Sequence, residues 1–316
     1  MAHLSKEQRY SISQMKRKGM KQKEIACIIG VSQVTINKEL SRNRNSLGHY
    51  VAKDAQMFAD TRKQRLAAHR KFSKKMEDFV REKIEHHQWS PEQIKGHAEV
   101  NGLAMVSVER IYQFIREDKA NGGSLYKHCR HKLKHRKRAI YGNAGVKNIA
   151  NRVSIHQRPK EVEDRQEIGH WEMDLIQNDK DFIVTLVERK SRYLLMEKLP
   201  NGKQADDVAK TVCKLLKPHK KLVKTITTDN GSEFAKHQEI AKQLNTKVYF
   251  TDPYSSWQKG TVENTNKLVR QYIPKKSSIK NLSFNDLTKI QLKINNRPRK
   301  NLQFNSPSDI FYNFAG

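Results

Sequence analysis

The apolar residues of this chain change rhythm part-way along. Up to about residue 120 they recur at helical spacing; from about Glu167 they alternate or run together as in strands. Ser5 followed by Gln8 reads as a capping box that opens a helix with Tyr10, Ile12 and Met15 on its apolar side, ended by Gly19. A second helix is predicted from Gln22 to Ile29, with Ile25, Ala26 and Ile29 inward. Gly30 then turns the chain, and Ser32 caps a third helix carrying Val34, Ile36 and Leu40. A small residue where two helices cross, a glycine turn and a polar third helix are what a helix-turn-helix needs. This gives a first domain over residues 1–45. Its Gln33, Thr35, Asn37 and Lys38 lie on the exposed side, in reach of base edges, and Arg42 and Arg44 suit phosphates. A plain three-helix bundle is the alternative.

Residues 46–72 read as a basic helical connector with few apolar anchors. A second trihelical unit is predicted over 73–120: Met76, Phe79, Val80 and Ile84 on one helix, a start at Ser90-Pro91-Glu92-Gln93, a turn at Asn101-Gly102, and a last helix capped by Ser107 with Val108, Ile111, Tyr112 and Ile115 inward. It reads as a second helix-turn-helix that contacts DNA, or as a structural or dimerising bundle. Residues 121–165 read as a linker, flexible at Asn121-Gly122-Gly123-Ser124 and heavily basic from Lys127 to Arg138.

The second half carries strands at His170–Gln177, Phe182–Val187 and Tyr193–Lys198, then a helix at about Gln204–Leu216. A strand at Val223–Thr228, a short helix near Ala235–Leu244, a strand at Lys247–Phe250 and a longer helix from Gly260 follow. Three meandering strands followed by alternating helices and strands predict an α/β core, residues 166–316, with a mixed sheet and C-terminal helices. The chain is thus multidomain: all-α units first, an α/β core after them.

Charge changes the picture most. The chain has 316 residues and a formal net charge of +29. Residues 1–150 hold 32 Lys and Arg against 14 Asp and Glu; residues 151–316 hold 30 against 19. Such a surface attracts a polyanion by counterion release, and nucleic acid fits better than a membrane surface, for which no basic amphipathic helix stands out. No apolar run is long enough to span a bilayer, and the N-terminus lacks a signal-peptide core. Three scattered cysteines, Cys27, Cys129 and Cys213, fit a reducing cytoplasm. The group His128, Cys129, His131 and His135 matches no standard zinc spacing and reads rather as a DNA-contacting basic segment.

Three acids carry the candidate chemistry. Asp229 ends a β-branched strand and precedes Asn230-Gly231, which is turn chemistry at a strand tip where ligands bind in open α/β sheets. Asp174 lies inside a strand, where a charge is costly unless paired or bound to a cation. Glu263 sits in the first turn of a helix, with Asn266, Lys267 and, two turns on, Arg270 beside it. Singly, Asp229 reads as a turn cap and Glu263 as a partner of Lys267. Together they can hold two divalent cations for phosphodiester chemistry, and hard oxygen ligands select Mg²⁺ or Mn²⁺. Glu172 and Glu233 read first as solvated and otherwise as helpers of the metal site. Glu188 and Asp252 read as ion-pair and turn residues.

Gly169-His170-Trp171-Glu172-Met173-Asp174, Leu186-Val187-Glu188-Arg189-Lys190-Ser191-Arg192, Thr227-Thr228-Asp229-Asn230-Gly231 and Asp252-Pro253-Tyr254-Ser255-Ser256-Trp257-Gln258-Lys259-Gly260-Thr261-Val262-Glu263-Asn264 resemble the IS-thirty family of bacterial DDE transposases, as do Asn295-Asn296-Arg297-Pro298-Arg299-Lys300 and the N-terminal helix-turn-helix. The resemblance runs over nearly the whole chain. The Trp-Gln-Lys-Gly…Glu-Asn block and the 33 residues between Asp229 and Glu263 are its specific features, and Met173, where the family favours a small residue, is its departure. The resemblance implies a ribonuclease-H-like core with Asp174, Asp229 and Glu263 as catalytic metal ligands. It also implies a reader of terminal inverted repeats and a bacterial cytoplasmic, nucleoid-associated enzyme that cuts and joins DNA with target DNA as second partner. In that setting Lys259, Lys267 and Arg270 are expected on phosphates. Trp257 is expected in the core or, failing that, stacked on an unpaired base. Pairing two ends predicts a homodimer or larger. A repressor without catalysis and a nuclease without joining activity are the alternatives.

Overall fold

The computed structural model describes residues 4–68, 72–130, 149–253, 255–275 and 277–315. It divides into two compact units, Met1–Ser73 and Lys74–Gly316.

The first unit holds α1 (Lys6–Arg17), α2 (Gln22–Ile29), α3 (Gln33–Arg42) and α4 (Ala52–Ala68). Ser5 and Gln8 form the expected reciprocal cap, Gly30 closes α2 at φ +74°, and Ser32 caps α3. Leu4, Ile12, Ile25, Ala26, Ile36 and Leu40 make the core. Two expected core residues are instead exposed: Tyr10 and Val34. Ile36 and Leu40 are one helical turn apart and define the inner face of α3, so Val34, two residues earlier, points away. The connector is not free-standing. The buried Arg9 guanidinium donates to Glu39 (2.8 Å), to the Leu4 carbonyl (2.8 Å) and to Gln56 (2.9 Å), which fastens α1 to α3 and α4. Arg62 of α4 donates to Asn43. Polar contacts replace the apolar anchors that its sequence lacks.

The second unit begins with α5 (Lys74–Glu85), α6 (Pro91–Val100), α7 (Val108–Ala120) and α8 (Leu125–His128). Val80, Ile84, Ile94, Ile111 and Ile115 are buried, and Ser90 with Gln93 forms a capping box. The stretch expected to start a flexible linker is held in place: the Asp118 carboxylate accepts from the Leu125 backbone N–H, and Leu125 is fully buried. His131 and His135, and most of the basic run, lie outside the described residues.

Next come β1 (Val153–Ser154), α9 (Glu161–Asp164), β2 (His170–Asn178), β3 (Asp181–Glu188), β4 (Leu194–Lys198), α10 (Ala205–Leu216), β5 (Thr225–Thr228), α11 (His237–Leu244), β6 (Lys247–Phe250), α12 (Gly260–Tyr272), α13 (Phe284–Asn295) and α14 (Pro307–Ala315). The sheet order is β1-β6-β5-β2-β3-β4. β2, β3 and β4 form an antiparallel meander; β5 pairs parallel with β2, β6 with β5, and β1 with β6. This is the mixed sheet of a ribonuclease-H-like core. The short β1 adds an edge strand from within the expected linker, because two residues are too few to leave a periodic signal.

Alternation along β2 sorts its side chains. Trp171 and Met173 enter a core with Val208, Val212, Ile240 and Phe311. Met173 is fully buried there, so the larger side chain at the family's departure is accommodated. Ile176 joins a second core with Val262, Val269, Leu287 and Ile294 of α12 and α13. Glu172 and Asp174 share the face of Ile176. Gly169, at φ +117°, immediately precedes β2: a Cβ there would lie 2.1 Å from the Leu222 carbonyl oxygen. No helix among the described residues is long and apolar enough to cross a membrane.

Candidate functional site

β2 and β5 pair as His170↔Thr225, Trp171↔Ile226 and Glu172↔Thr227. Asp174 and Asp229 each stand two residues beyond the last pair, so two parallel central strands deliver two carboxylates to one end of the sheet. The 3₁₀ turn Ser256–Lys259 and the start of α12 close over this end. The Lys259 ammonium reaches between the two acids, 3.2 Å from Asp174 Oδ1 and 2.7 Å from Asp229 Oδ2, and 3.3 Å from the Met173 carbonyl. Burial works against this ammonium, but Asp174 and then Asp229 outweigh it and hold its pKa above the usual lysine value. Lys259, expected on a DNA phosphate, stands here buried as the counter-ion of the acid pair.

Asp229 does two things at once. Its Oδ1 accepts from the Gly231 N–H at 3.1 Å, the turn cap, while Oδ2 faces Lys259. Gly231 has an ordinary negative φ; its missing Cβ makes room for the Glu233 carboxylate, 2.5 Å from where a Cβ would stand. Glu233 is half-buried and lies 3.9 Å from Lys203, not free in solvent.

α12 supplies the rest. Asn266 donates to Asp174 Oδ2 at 2.8 Å, and its own Oδ1 is buried without a partner. Glu263, one turn earlier on that helix, is paired with Lys267 at 2.8 Å. This is the local ion pair that its spacing predicts when read alone. Among the described residues no three His, Cys, Asp or Glu side chains stand together as a metal-binding group. The structure therefore joins Asp174 to Asp229 and leaves Glu263 engaged beside them. Arg270 donates to Asn178 and to the Gln177 carbonyl at the end of β2, so it fastens α12 to the sheet. Trp257, expected in the core, is 73% exposed.

Glu172 corrects the sequence reading most. Expected in solvent, it is fully buried: Oε1 receives Arg189 Nη1 at 2.6 Å, and Oε2 accepts the Val262 backbone N–H at 2.8 Å. It caps the first turn of α12, whose own N-cap residue gives no side-chain bond. Arg189 also reaches Glu163 at 2.9 Å and the Val162 carbonyl at 3.1 Å, and Arg158 reaches Glu163 and Thr227. The period-2 pattern of β2 was the signal for this: Glu172 shares the Asp174 face, with no charge partner nearby in sequence. Glu188 closes its turn by accepting from Ser191 N–H (2.7 Å) and hydroxyl (2.6 Å), and Asp252 pairs with His156 at 2.9 Å, as turn and ion-pair residues.

In the first unit Gln33, Asn37, Lys38, Arg42 and Arg44 are exposed. Thr35 is half-buried, and its hydroxyl lies 2.9 Å from that of Ser32 in the cap of α3. Cys27, Cys129 and Cys213 are free thiols.

Comparisons with known proteins agree with this architecture. The integrase core domain family matches residues 164–256, and a helix-turn-helix domain family matches residues 2–43. The transposase for insertion sequence element IS4351 of Bacteroides fragilis is 42% identical over 98% of this chain and 95% of its own length. Transposase InsI for insertion sequence element IS30A of Escherichia coli (strain K12) is 36% identical over 98% of this chain and 83% of its own. The solved catalytic core domain of BIV integrase covers 46% of this chain and 93% of its own at 21% identity with a TM-score of 0.36, too loose an overlap to carry an argument. With near-complete coverage at these identities, the chain belongs to the IS30 (IS-thirty) family of insertion-sequence transposases.

Proposed function

We propose that this transposase binds the terminal inverted repeats of its element through the first unit. At the sheet end carrying Asp174 and Asp229, it cuts and joins DNA with Mg²⁺ or Mn²⁺, two ions at a time, Glu263 completing the ligand set. The observation that carries this reading is the convergence of Asp174 and Asp229 on one cation, the Lys259 ammonium, at the ends of adjacent parallel strands. Two carboxylates that already share a positive charge, beside an unpartnered buried amide oxygen on Asn266, are the hard-oxygen donor set that suits such ions. Glu263 would join this set once its carboxylate left Lys267. The chemistry such ions supply when bound is activation of an attacking water or 3′-hydroxyl and charge stabilisation at the leaving oxygen.

The chain's own groups supply orientation. Asn266 fixes the Asp174 carboxylate, Glu172 fixes the start of α12, and Arg270 fixes that helix to the end of β2. Lys267, once released from Glu263, and Lys259, once released from the acid pair, are ammonium groups beside the cut that can meet phosphates. The exposed Trp257 offers a face on which an unpaired base can stack. Gln33, Thr35, Asn37 and Lys38 read base edges, and Arg42 and Arg44 hold the backbone. Two copies acting together bring two ends to one target, in the cytoplasm.

The test is a strand-transfer assay with labelled inverted-repeat DNA. Asp229→Asn is expected to abolish Mg²⁺-dependent cutting and joining while end binding persists in a mobility-shift measurement. Cutting retained by that variant would remove Asp229 from the chemistry. Cutting without joining by the unsubstituted protein would favour a plain nuclease, and specific binding with neither would favour a repressor.

A further inference from the structure

Three arginines of the second unit lie near one another with no described carboxylate bonded to any of them; Glu172 and Glu188 act on Arg192 only at longer range, and no carboxylate acts on Arg297 or Arg299. Arg297 is 2% exposed, and its Nε and Nη1 donate only to the neutral amide oxygens of Gln93 (2.9 Å) and Gln271 (2.8 Å). Arg299, two residues on, donates from Nη2 to the Ile294 carbonyl at 3.1 Å, and its buried Nε–H has no partner. Arg192 donates to Thr261 Oγ1 at 3.0 Å and, with the amide of Asn301 oriented to accept, to Asn301 at 3.1 and 3.3 Å. None of the three makes a salt bridge with a described residue, and the residues outside the described set include no Asp or Glu. Glu92, next to Gln93, is taken by Lys300 at 2.7 Å.

This is an expensive arrangement. A guanidinium carries five N–H donors, and a buried charge without a counter-charge is strongly unfavourable. Burial, followed by repulsion from Arg297, pushes Arg299 down to about 9; burial brings Arg297 to about 10, and burial, followed by Arg165, brings Arg192 to about 10. Arg130, within the basic run, adds to the positive potential on Arg297 and Arg299. An oxyanion would supply the missing acceptors and reverse the repulsion. The planar forks of arginine match a phosphate in particular.

We propose that Arg192, Arg299 and the buried Arg297 behind them form a binding site for one backbone phosphate of DNA. The site is attached to the machinery: Thr261, held by Arg192, is in the same first helical turn as Glu263. A strand anchored there is held in register with the start of α12. Among anions that fit the forks, a DNA phosphodiester is favoured over free phosphate by the net charge of +29 and by the basic run, Lys127 to Arg138, that contains Arg130. The inference rests on DNA being the substrate but not on the acid triad.

The test measures duplex binding by the full-length protein in EDTA, so that metal-dependent cutting plays no part, as a function of salt. Arg299→Gln is expected to lower the slope of log affinity against log salt by about one, the value for one lost phosphate contact. Arg299→Lys is expected to recover part of the affinity. If Arg299→Gln prevents folding, Arg192→Gln reports on the half-exposed side of the same site. The unsubstituted protein alone gives a further reading: inorganic phosphate should raise its melting temperature more than chloride at equal ionic strength. A normal salt slope in both folded variants overturns the site. Stabilisation by free phosphate with normal slopes equally overturns its assignment to DNA. Loss of cutting in Asp229→Asn is scored separately, so the two readings fail independently.

Discussion

At the scale of single residues, the informative side chain is Glu172. It links the strand that bears Asp174 to the helix that bears Glu263, by one charge-assisted bond to the Val262 N–H and one ion pair to Arg189, both out of water. Removing the carboxylate leaves the buried Val262 N–H unpaired and Arg189 with Glu163 alone, at a cost of about 1–3 kcal/mol. Glu172→Ala is therefore expected to destabilise the second unit by that amount in denaturant unfolding, and Glu172→Gln by less, since its amide oxygen can still accept from Val262. Equal stability of Glu172→Ala and the unsubstituted protein would mean that the cap contributes nothing. The acid pair itself is governed by the same electrostatics. Asp174 and Asp229 lie close enough to share the Lys259 ammonium, and that shared cation is what offsets their repulsion.

At the scale of elements, α6 shows packing overruling propensity. Gly96 lies inside this helix, where glycine is about 1 kcal/mol worse than alanine. A Cβ at Gly96 would meet the Phe304 ring at 2.3 Å, so α6 rests against the loop that follows α13. Gln93 of α6 also donates to the Pro298 carbonyl at 2.7 Å and accepts from Arg297. Gly96→Ala is expected to lower stability by about 1–3 kcal/mol, the usual cost of overpacking. A gain in the denaturant midpoint would show that the ring moves aside and that propensity wins. This packing also explains why the second trihelical stretch belongs to the same compact unit as the α/β core.

At the scale of the whole molecule, the chain is two compact units under one strongly basic charge. The first has its own core of Leu4, Ile12, Ile25, Ala26, Ile36 and Leu40, reinforced by Arg9. A fragment spanning residues 1–73 is expected to melt cooperatively and to bind inverted-repeat DNA with an affinity that falls steeply with salt, without cutting. A fragment that is unfolded by circular dichroism, or folded but indifferent to the repeat sequence, would deny the first unit an independent reading role.

The local elements were legible in the sequence because they depend on neighbours along the chain. The capping boxes at Ser5 and Ser90, the Gly30 turn, and the strands between His170 and Phe250 all took shape near their expected bounds. The three acids stood out because charges at a strand centre, a strand tip and a helix start need a reason to be there. What faces what is set by distant parts of the chain, and only the tertiary structure decided that. It buried Glu172 against Arg189, put Lys259 between two carboxylates, exposed Trp257, and gathered Arg192, Arg297 and Arg299. Each of these depends on desolvation and on partners that local sequence does not name: the period-2 pattern puts Glu172 on the Asp174 face but says nothing of the Arg189 that meets it there.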